Sequence, residues 1–281
     1  MITNTDHYLA AERENSQKSR RPNISKYEKA VDIWRRRAIK GRNDLEEALD
    51  RYSIEFAYHS GKLGNDRLTM ETTKEIFENG SVTAYTGDLR TLIEVRNYRD
   101  ANELLLSSFG RMCAISESLI RDFHFSLTQG TYGKRCWRMG ERPGVFKRHG
   151  HAKGKLGIGT NPGEVHEDLS LLLDELNTIP LTNILAAAAY FHARFEDIRP
   201  FSDGNGRTGR LAMNYFLITN NHPPIIIHEE DRTGYFSALE EWDESHVLDP
   251  LIDYLEGQTI KTWEEEIRKE DGPAETGPSA S

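Results

Sequence analysis

Apolar residues recur every three or four positions through most of this chain, the period of a helix with one buried face. "SKYEKAVDIWRRRAIKG" shows it first: Tyr27, Ala30, Ile33 and Trp34 share one side, Ser25 stands where an N-cap belongs, and Gly41 stands where the helix would close. "RNDLEEALDRYSIEFAYHSGK" repeats the design, with Asn43 or Asp44 as cap and Gly61 as stop. "TMETTKEIFENG" predicts a third, short helix running from a cap at Thr69 to a stop at Gly80. Longer amphipathic segments follow at about 88–108, 114–129, 164–177, 181–196, 205–220, 231–243 and 248–268. The fold class these predict is all-α.

One island breaks the pattern. Gly133 to Gly163, "GKRCWRMGERPGVFKRHGHAKGKLGIGTNPG", is rich in Gly, Lys and Arg and alternates apolar with polar residues only over short stretches. A helix does not persist through so many glycines. The segment is expected to form a small β-hairpin with loops on the helical body, exposing a strand edge to which an extended peptide can pair. Residues 1–22 and the end "RKEDGPAETGPSAS" have almost nothing to bury and are expected to be disordered tails. No internal repeat of fixed period occurs.

Composition narrows the partners. Lys plus Arg number 36 against 45 Asp plus Glu, a net charge of -9, so no global field draws in a nucleic acid. Any phosphate must be held by a local constellation. The longest apolar run, "ILAAAAYF", falls well short of the roughly 20 residues that span a bilayer, and the N-terminal stretch lacks the apolar core of a secretion signal. The expectation is a soluble, cytoplasmic protein with no membrane partner. The two cysteines, Cys113 and Cys136, have no CxxC spacing, which argues against a disulfide framework or a zinc cage.

The candidate chemistry lies in "RFEDIRPFSDGNGRTGR", Arg194 to Arg210. "SDGNG" opens the helix implied by Leu211, Met213, Phe216 and Leu217. Glycines let backbone approach a ligand, and the unpaired N–H groups of a helix N-terminus favour an anion. Arg207 and Arg210 sit three apart in the first turn, at the helix end where cations are normally unfavourable, which makes sense if a multiply charged anion pairs with both. Asp203 adds a carboxylate able to hold Mg2+ against the same phosphates. An ordinary turn accounts for the glycines alone; the full set describes a nucleotide polyphosphate site.

"RPFSDGNGRTGR" resembles the signature loop of the Fic (Fido) family of protein adenylyltransferases, HPFx(D/E)GNGRxxR, at every defined position but the first. The resemblance implies a mainly helical Fic fold with a β-hairpin flap near residues 146–165 that docks a target protein. It implies that ATP and Mg2+ bind the loop and that AMP passes to a Ser, Thr or Tyr hydroxyl. Asp203 would hold the metal, Gly204, Asn205 and Gly206 would surround the α- and β-phosphates, Arg207 would add a phosphate contact, and Arg210 would reach the γ-phosphate. Pro200 and Phe201 would fix the loop, and Tyr235 would wall the adenine. The implied division places N-terminal helices at 23–105, the Fic core at 106–255, and a C-terminal helix end and tail at 256–281. Self-association is common in the family, so a homo-oligomer is a possible partner.

Two departures stand out. The family's histidine, which takes the proton from the target hydroxyl, is replaced by Arg199, whose guanidinium stays protonated at ordinary pH. His192, two turns upstream, is a poor substitute. The family's inhibitory-helix pattern, (S/T)xxxE(G/N), is matched by Ser60 and Asn65, but Gly64 stands in place of the glutamate. The expectation is impaired transfer together with an Arg210 released for ATP. Drift to an inactive protein and deliberate substitution would both produce such a pair.

Three further features carry less. "HGH" at His149–His151 lacks further ligands nearby, "GKLGIG" from Gly154 imitates a dinucleotide fingerprint without the strand and helix around it, and no GxxxxGK[ST] occurs. A catalytically inactive nucleotide-binding module, or transfer of another phosphate-containing group such as UMP, remain alternatives.

Overall fold

The structure, a computed structural model, describes residues 24–83, 85–150, 159–178 and 183–271. The expected N-terminal tail, residues 272–281 of the expected C-terminal tail, the centre of the expected hairpin at 151–158, His151 and most of "GKLGIG" lie outside the described residues, whereas the first four residues of the expected C-terminal tail, Arg268–Asp271, are helical.

The described chain is a helical assembly, and local sequence accounts for its punctuation. Helix α1 (Lys26–Arg36) starts with a capping box, in which Ser25 Oγ accepts from the Glu28 N–H and the Glu28 carboxylate accepts from the Ser25 N–H. It stops at Arg36, short of the expected Gly41, because Ala38 takes a positive φ of 49°. Helix α2 (Arg42–Lys62) begins after Gly41, with Asp44 accepting from the Lys40 and Gly41 amides. Helix α3 (Met70–Asn79) runs as expected between Thr69, whose side chain accepts from Thr72 N–H, and a left-handed Gly80.

Helices α4 (Leu89–Gly110), α5 (Glu117–Thr128), α7 (Val165–Thr178), α8 (Ile184–Ile198), α9 (Asn205–Thr219) and α10 (Arg232–Ser245) fall close to the expected segments. The last segment is split at Trp263 into α11 (Asp249–Thr262) and α12 (Glu264–Asp271). The Gly-rich island departs from expectation in two respects: a short helix α6 (Lys134–Arg138) forms at its start, and its described residues do not show the expected hairpin. No strand occurs among the described residues. What remains of the island is held by single backbone bonds to the candidate loop: Lys147 N–H donates to Pro200 O and Thr160 N–H to Ile198 O.

Helices α8 and α9 form the centre. α8 packs against α7, α9, α10 and α11, while α9 also touches α2, α4 and α5. Every α9 residue from Thr208 to Ile218 is buried, so the helix is enclosed on all sides and its N-terminus is fixed in space. Because α2 and α4 lie against that helix, the N-terminal layer also walls the mouth of the loop.

Candidate functional site

The loop between α8 and α9 reverses the chain through two left-handed residues. Arg199 caps α8 at φ 44° and ψ 65°, its N–H donating to Phe195 O and its Nε to Glu196 O at 3.1 Å. A non-glycine residue in this region carries strain of about 1–3 kcal/mol, which the surrounding contacts must hold. Phe201 is buried and stacks on His124 with ring centroids 3.6 Å apart. Asn205 closes the loop on itself: its Oδ1 accepts from Phe201 N–H at 2.9 Å and its Nδ2 donates to Phe201 O at 2.7 Å. The Asn205 side chain is therefore committed to the loop's own backbone.

His124 pins the other flank in a defined tautomer. Gly144 N–H donates to its Nδ1 at 2.8 Å, so the proton resides on Nε2, which donates to Asp203 O at 2.9 Å. Burial holds this imidazole down at about 3, keeping it neutral.

Gly204 precedes α9 at φ 80°, and a Cβ there would stand 2.5 Å from Thr128 Cγ2. Only glycine fits, and with no side chain to cap the helix, the amides of its first turn are left for a ligand. They open on a cavity of about 310 Å³. Its lining brings together Arg199, Asp203, Gly204, Asn205, Gly206, Arg207, Arg210 and Tyr235 with Gly64 and Asn65 of the N-terminal layer.

The arginines are engaged. Arg210 is 5% exposed and donates from Nε to Ser60 Oγ and from Nη2 to Ser60 O, both at 2.9 Å, with Tyr235 Oη 3.5 Å from Nη1. The expectation that the loss of a glutamate at position 64 leaves Arg210 free therefore does not hold: neutral groups of the same helix hold it. Arg207 Nη1 lies 3.7 Å from the Glu94 carboxylate. Gly64 itself lies in the turn after α2, outside the helix interior, so it carries none of the cost of an interior glycine.

Asp203 accepts its neighbour Gly204 N–H on Oδ1 at 2.9 Å and meets Arg90 Nη2 at 3.5 Å on Oδ2. No group of three or more metal-binding side chains occurs among the described residues. A single carboxylate beside an anion seat fits Mg2+, which is commonly held by one or two carboxylates plus substrate phosphates and water. Tyr235 is fully buried, its Oη 2.7 Å from His192 Nε2, and the neighbouring Phe236 is the more exposed ring on the cavity wall. His192 is itself fully buried, with burial pushing it down to about 3.

Sequence reasoning missed four charged residues that line the same cavity: Arg90, Glu94, Lys147 and Glu196. Glu196 is half-buried three residues before Arg199, and desolvation raises its carboxyl despite nearby Arg210 and Arg199. Lys147 Nζ donates to Ile198 O at 3.0 Å, and burial followed by the Arg199 charge pushes its amine down to about 8. One signal for α4 was present in "TLIEVRNY": Glu94 and Asn97 sit three apart on the inward face, where apolar residues were due.

The class defined by two buried central helices joined by this phosphate-type loop is matched by known proteins. Residues 114–217 match the Fic/DOC family model. The protein adenylyltransferase Fic of Drosophila persimilis is 27% identical over 227 residues, covering 78% of this chain and 41% of that protein. Its namesake in Aedes aegypti is 26% identical over 242 residues, covering 81% and 45%. The chain thus spans less than half the length of these curated relatives. Among solved structures, a Fic domain containing signaling protein from Bacteroides thetaiotaomicron superposes with a TM-score of 0.71 at 22% identity, covering 91% of this chain and 100% of that one. Fic-1 from C. elegans gives 0.70 at 21% identity, covering 95% and 75%. These likenesses establish the helical fold. No helix among the described residues is long and apolar enough to cross a membrane.

Proposed function

We propose that this chain is a protein adenylyltransferase scaffold that takes ATP and Mg2+ into the cavity at the α9 N-terminus. The observation that carries the reading is the convergence of uncapped first-turn amides, Arg207, Arg210 and Asp203 on one cavity. The amides of Asn205, Gly206 and Arg207 would meet the α- and β-phosphates, Arg207 would add a charge-assisted bond, and Arg210, once released from Ser60, would meet the γ-phosphate. Asp203 would hold Mg2+, which would neutralise charge on the phosphates. Tyr235 and Phe236 would form the wall against the base. Lys147 and Thr160, whose amides donate to Pro200 O and Ile198 O, belong to the segment near 146–165 that would align a target segment.

The chemistry needs a proton acceptor. A target hydroxyl oxygen attacks the α-phosphorus, the bond to the bridging oxygen breaks, and pyrophosphate leaves with the electron pair while the hydroxyl proton goes to a base. Arg199 offers no lone pair for that proton. General-base catalysis contributes roughly 10²–10⁴-fold, so transfer by this chain would be reduced by about that factor while nucleotide binding persists. A binding module without turnover is the second reading, favoured by Arg199 alone. A third is transfer of UMP or another phosphate-containing group, because the loop contacts phosphates and leaves the base unread.

The test is Arg199→His. Histidine is among the residues enriched at positive φ, so it suits the strained position. Separate incubations with α-labelled ATP and α-labelled UTP, each with Mg2+, should give covalent label on the protein or an added target, with intact mass identifying AMP against UMP. A folded revertant that binds ATP yet transfers nothing supports the binding-module reading instead.

A further inference from the structure

The buried charge on α4 gives the cavity a second role. Glu94 is 8% exposed, and three side chains converge on its carboxylate: Asn65 Nδ2 at 2.7 Å, Arg90 Nε at 3.0 Å and Arg207 Nη1 at 3.7 Å. Asn65 is itself steadied by Thr91 Oγ1 at 3.1 Å, and Arg90 extends the network to Asp203. All but Thr91 line the candidate nucleotide cavity. A carboxylate buried at this depth is stable only with partners, and Arg207 is one of them.

We propose that Glu94 is an autoinhibitory carboxylate that occupies Arg207 in place of a nucleotide phosphate, so that polyphosphate enters only by displacing it. This rests on the reading of Arg207 as a phosphate contact. Phosphate oxygens and the Glu94 oxygens compete for the same guanidinium, and two anions at one half-buried cation repel. The Arg90 pairing extends the competition, since Mg2+ at Asp203 must also share that carboxylate with a guanidinium. Gly64 lacks a side chain to act on Arg210, yet Asn65, the next residue, holds the neighbouring helix's carboxylate against the first arginine. Inhibition is thereby moved from the α2 turn to α4, and from Arg210 to Arg207.

Calorimetric titration of the full chain with ATP and Mg2+, and separately with adenosine, tests this. Glu94→Gln keeps the shape and the Asn65 contact but removes the charge. ATP should bind this variant about 5- to 100-fold more tightly, the range of a typical coupling between sites, while adenosine affinity stays unchanged. Asn65→Ala, which frees the carboxylate without removing it, should give a smaller gain and supplies the test if Glu94→Gln does not fold. Equal or weaker ATP binding by folded Glu94→Gln, with wild-type ATP binding measurable, overturns the inhibitory role and leaves the nucleotide site standing. ATP binding absent from wild type and both variants overturns the nucleotide site along with it.

Discussion

Arg210 grips Ser60 twice, through Oγ and through the carbonyl, each at 2.9 Å. Ser60 Oγ also accepts from Tyr98 Oη at 2.9 Å, so one hydroxyl joins α2, α4 and α9. Ser60→Ala leaves two buried donors short of an acceptor, at a cost of about 1–3 kcal/mol. It also loosens the arginine proposed to meet the γ-phosphate. Chemical denaturation should show the loss of stability, while titration should show the ratio of ATP to ADP affinity rising. An unchanged ratio would separate Arg210 from γ-phosphate recognition.

Gly64 is the position where a carboxylate can be restored at little structural cost. A Cβ there meets only Gly61 O, at 3.9 Å, and the backbone is outside the left-handed region that demands glycine. Gly64→Glu should therefore change stability by no more than about 0.5 kcal/mol, the usual range for a surface substitution free of strain. Its carboxylate enters the cavity lining beside Arg210 and should weaken ATP binding by about tenfold or more, with adenosine unaffected. Equal ATP affinity in both forms would show that the α2 turn does not reach the phosphates.

Gly204 admits no side chain. At φ 80°, with Thr128 Cγ2 2.5 Å from a would-be Cβ, Gly204→Ala combines backbone strain with overlap against a buried residue. The expected cost is about 2–4 kcal/mol, from one strained residue and one local overpacking. Adding Thr128→Ser removes the methyl and should recover only the overlap component. Urea midpoints of the single and double variants measure both parts.

The helices were legible because their caps and periodicity are local: Ser25, Thr69 and Gly80 each act within four residues of themselves. The loop was legible because Gly204 and Asn205 make their geometry from neighbouring backbone. Glu94 was not: Arg90 is four residues earlier on its own helix, but its partners Asn65 and Arg207 come from the α2 turn and α9, and no spacing in the sequence reveals that those elements meet α4. Arg210 was misjudged for the same reason. Its partner was sought in a missing glutamate, while Ser60 supplies both a hydroxyl and a carbonyl from one turn earlier.

Asp203 gives a test of the metal. Its Oδ2 meets Arg90 at 3.5 Å, so Mg2+ must compete with a guanidinium for the carboxylate. Chelation by EDTA should weaken ATP binding to the wild-type chain, and Asp203→Asn should abolish that dependence while leaving adenosine binding intact. Arg90→Ala should lower the Mg2+ concentration that half-saturates the effect. A persistent EDTA response in Asp203→Asn would move the metal to other ligands.

Acid should loosen the attachment of α1 to the end of α9. His222 is 2% exposed; its Nδ1 lies 2.8 Å from Pro223 O and must donate to it, which leaves Nε2 to accept from Tyr27 Oη at 2.9 Å. Burial, aided by Arg35 and opposed by the Pro223 bond, pushes this imidazole down to about 4. Burial and the Glu256 charge raise Tyr27 to about 12, so its hydroxyl remains a donor throughout the relevant range. Between about pH 4 and 6.5 the unfolded chain binds a proton at His222 that the folded chain refuses, so stability falls as pH drops through that window. The loss from this one group is roughly 2 kcal/mol between pH 7 and pH 5. Half-buried His59, lowered to about 4 chiefly by desolvation, acts in the same direction, so the total slope is steeper. The difference between wild type and His222→Gln isolates the first contribution: the variant should start less stable at pH 7 and lose less on acidification, and parallel denaturation curves at both pH values would show that His222 takes up its proton without cost.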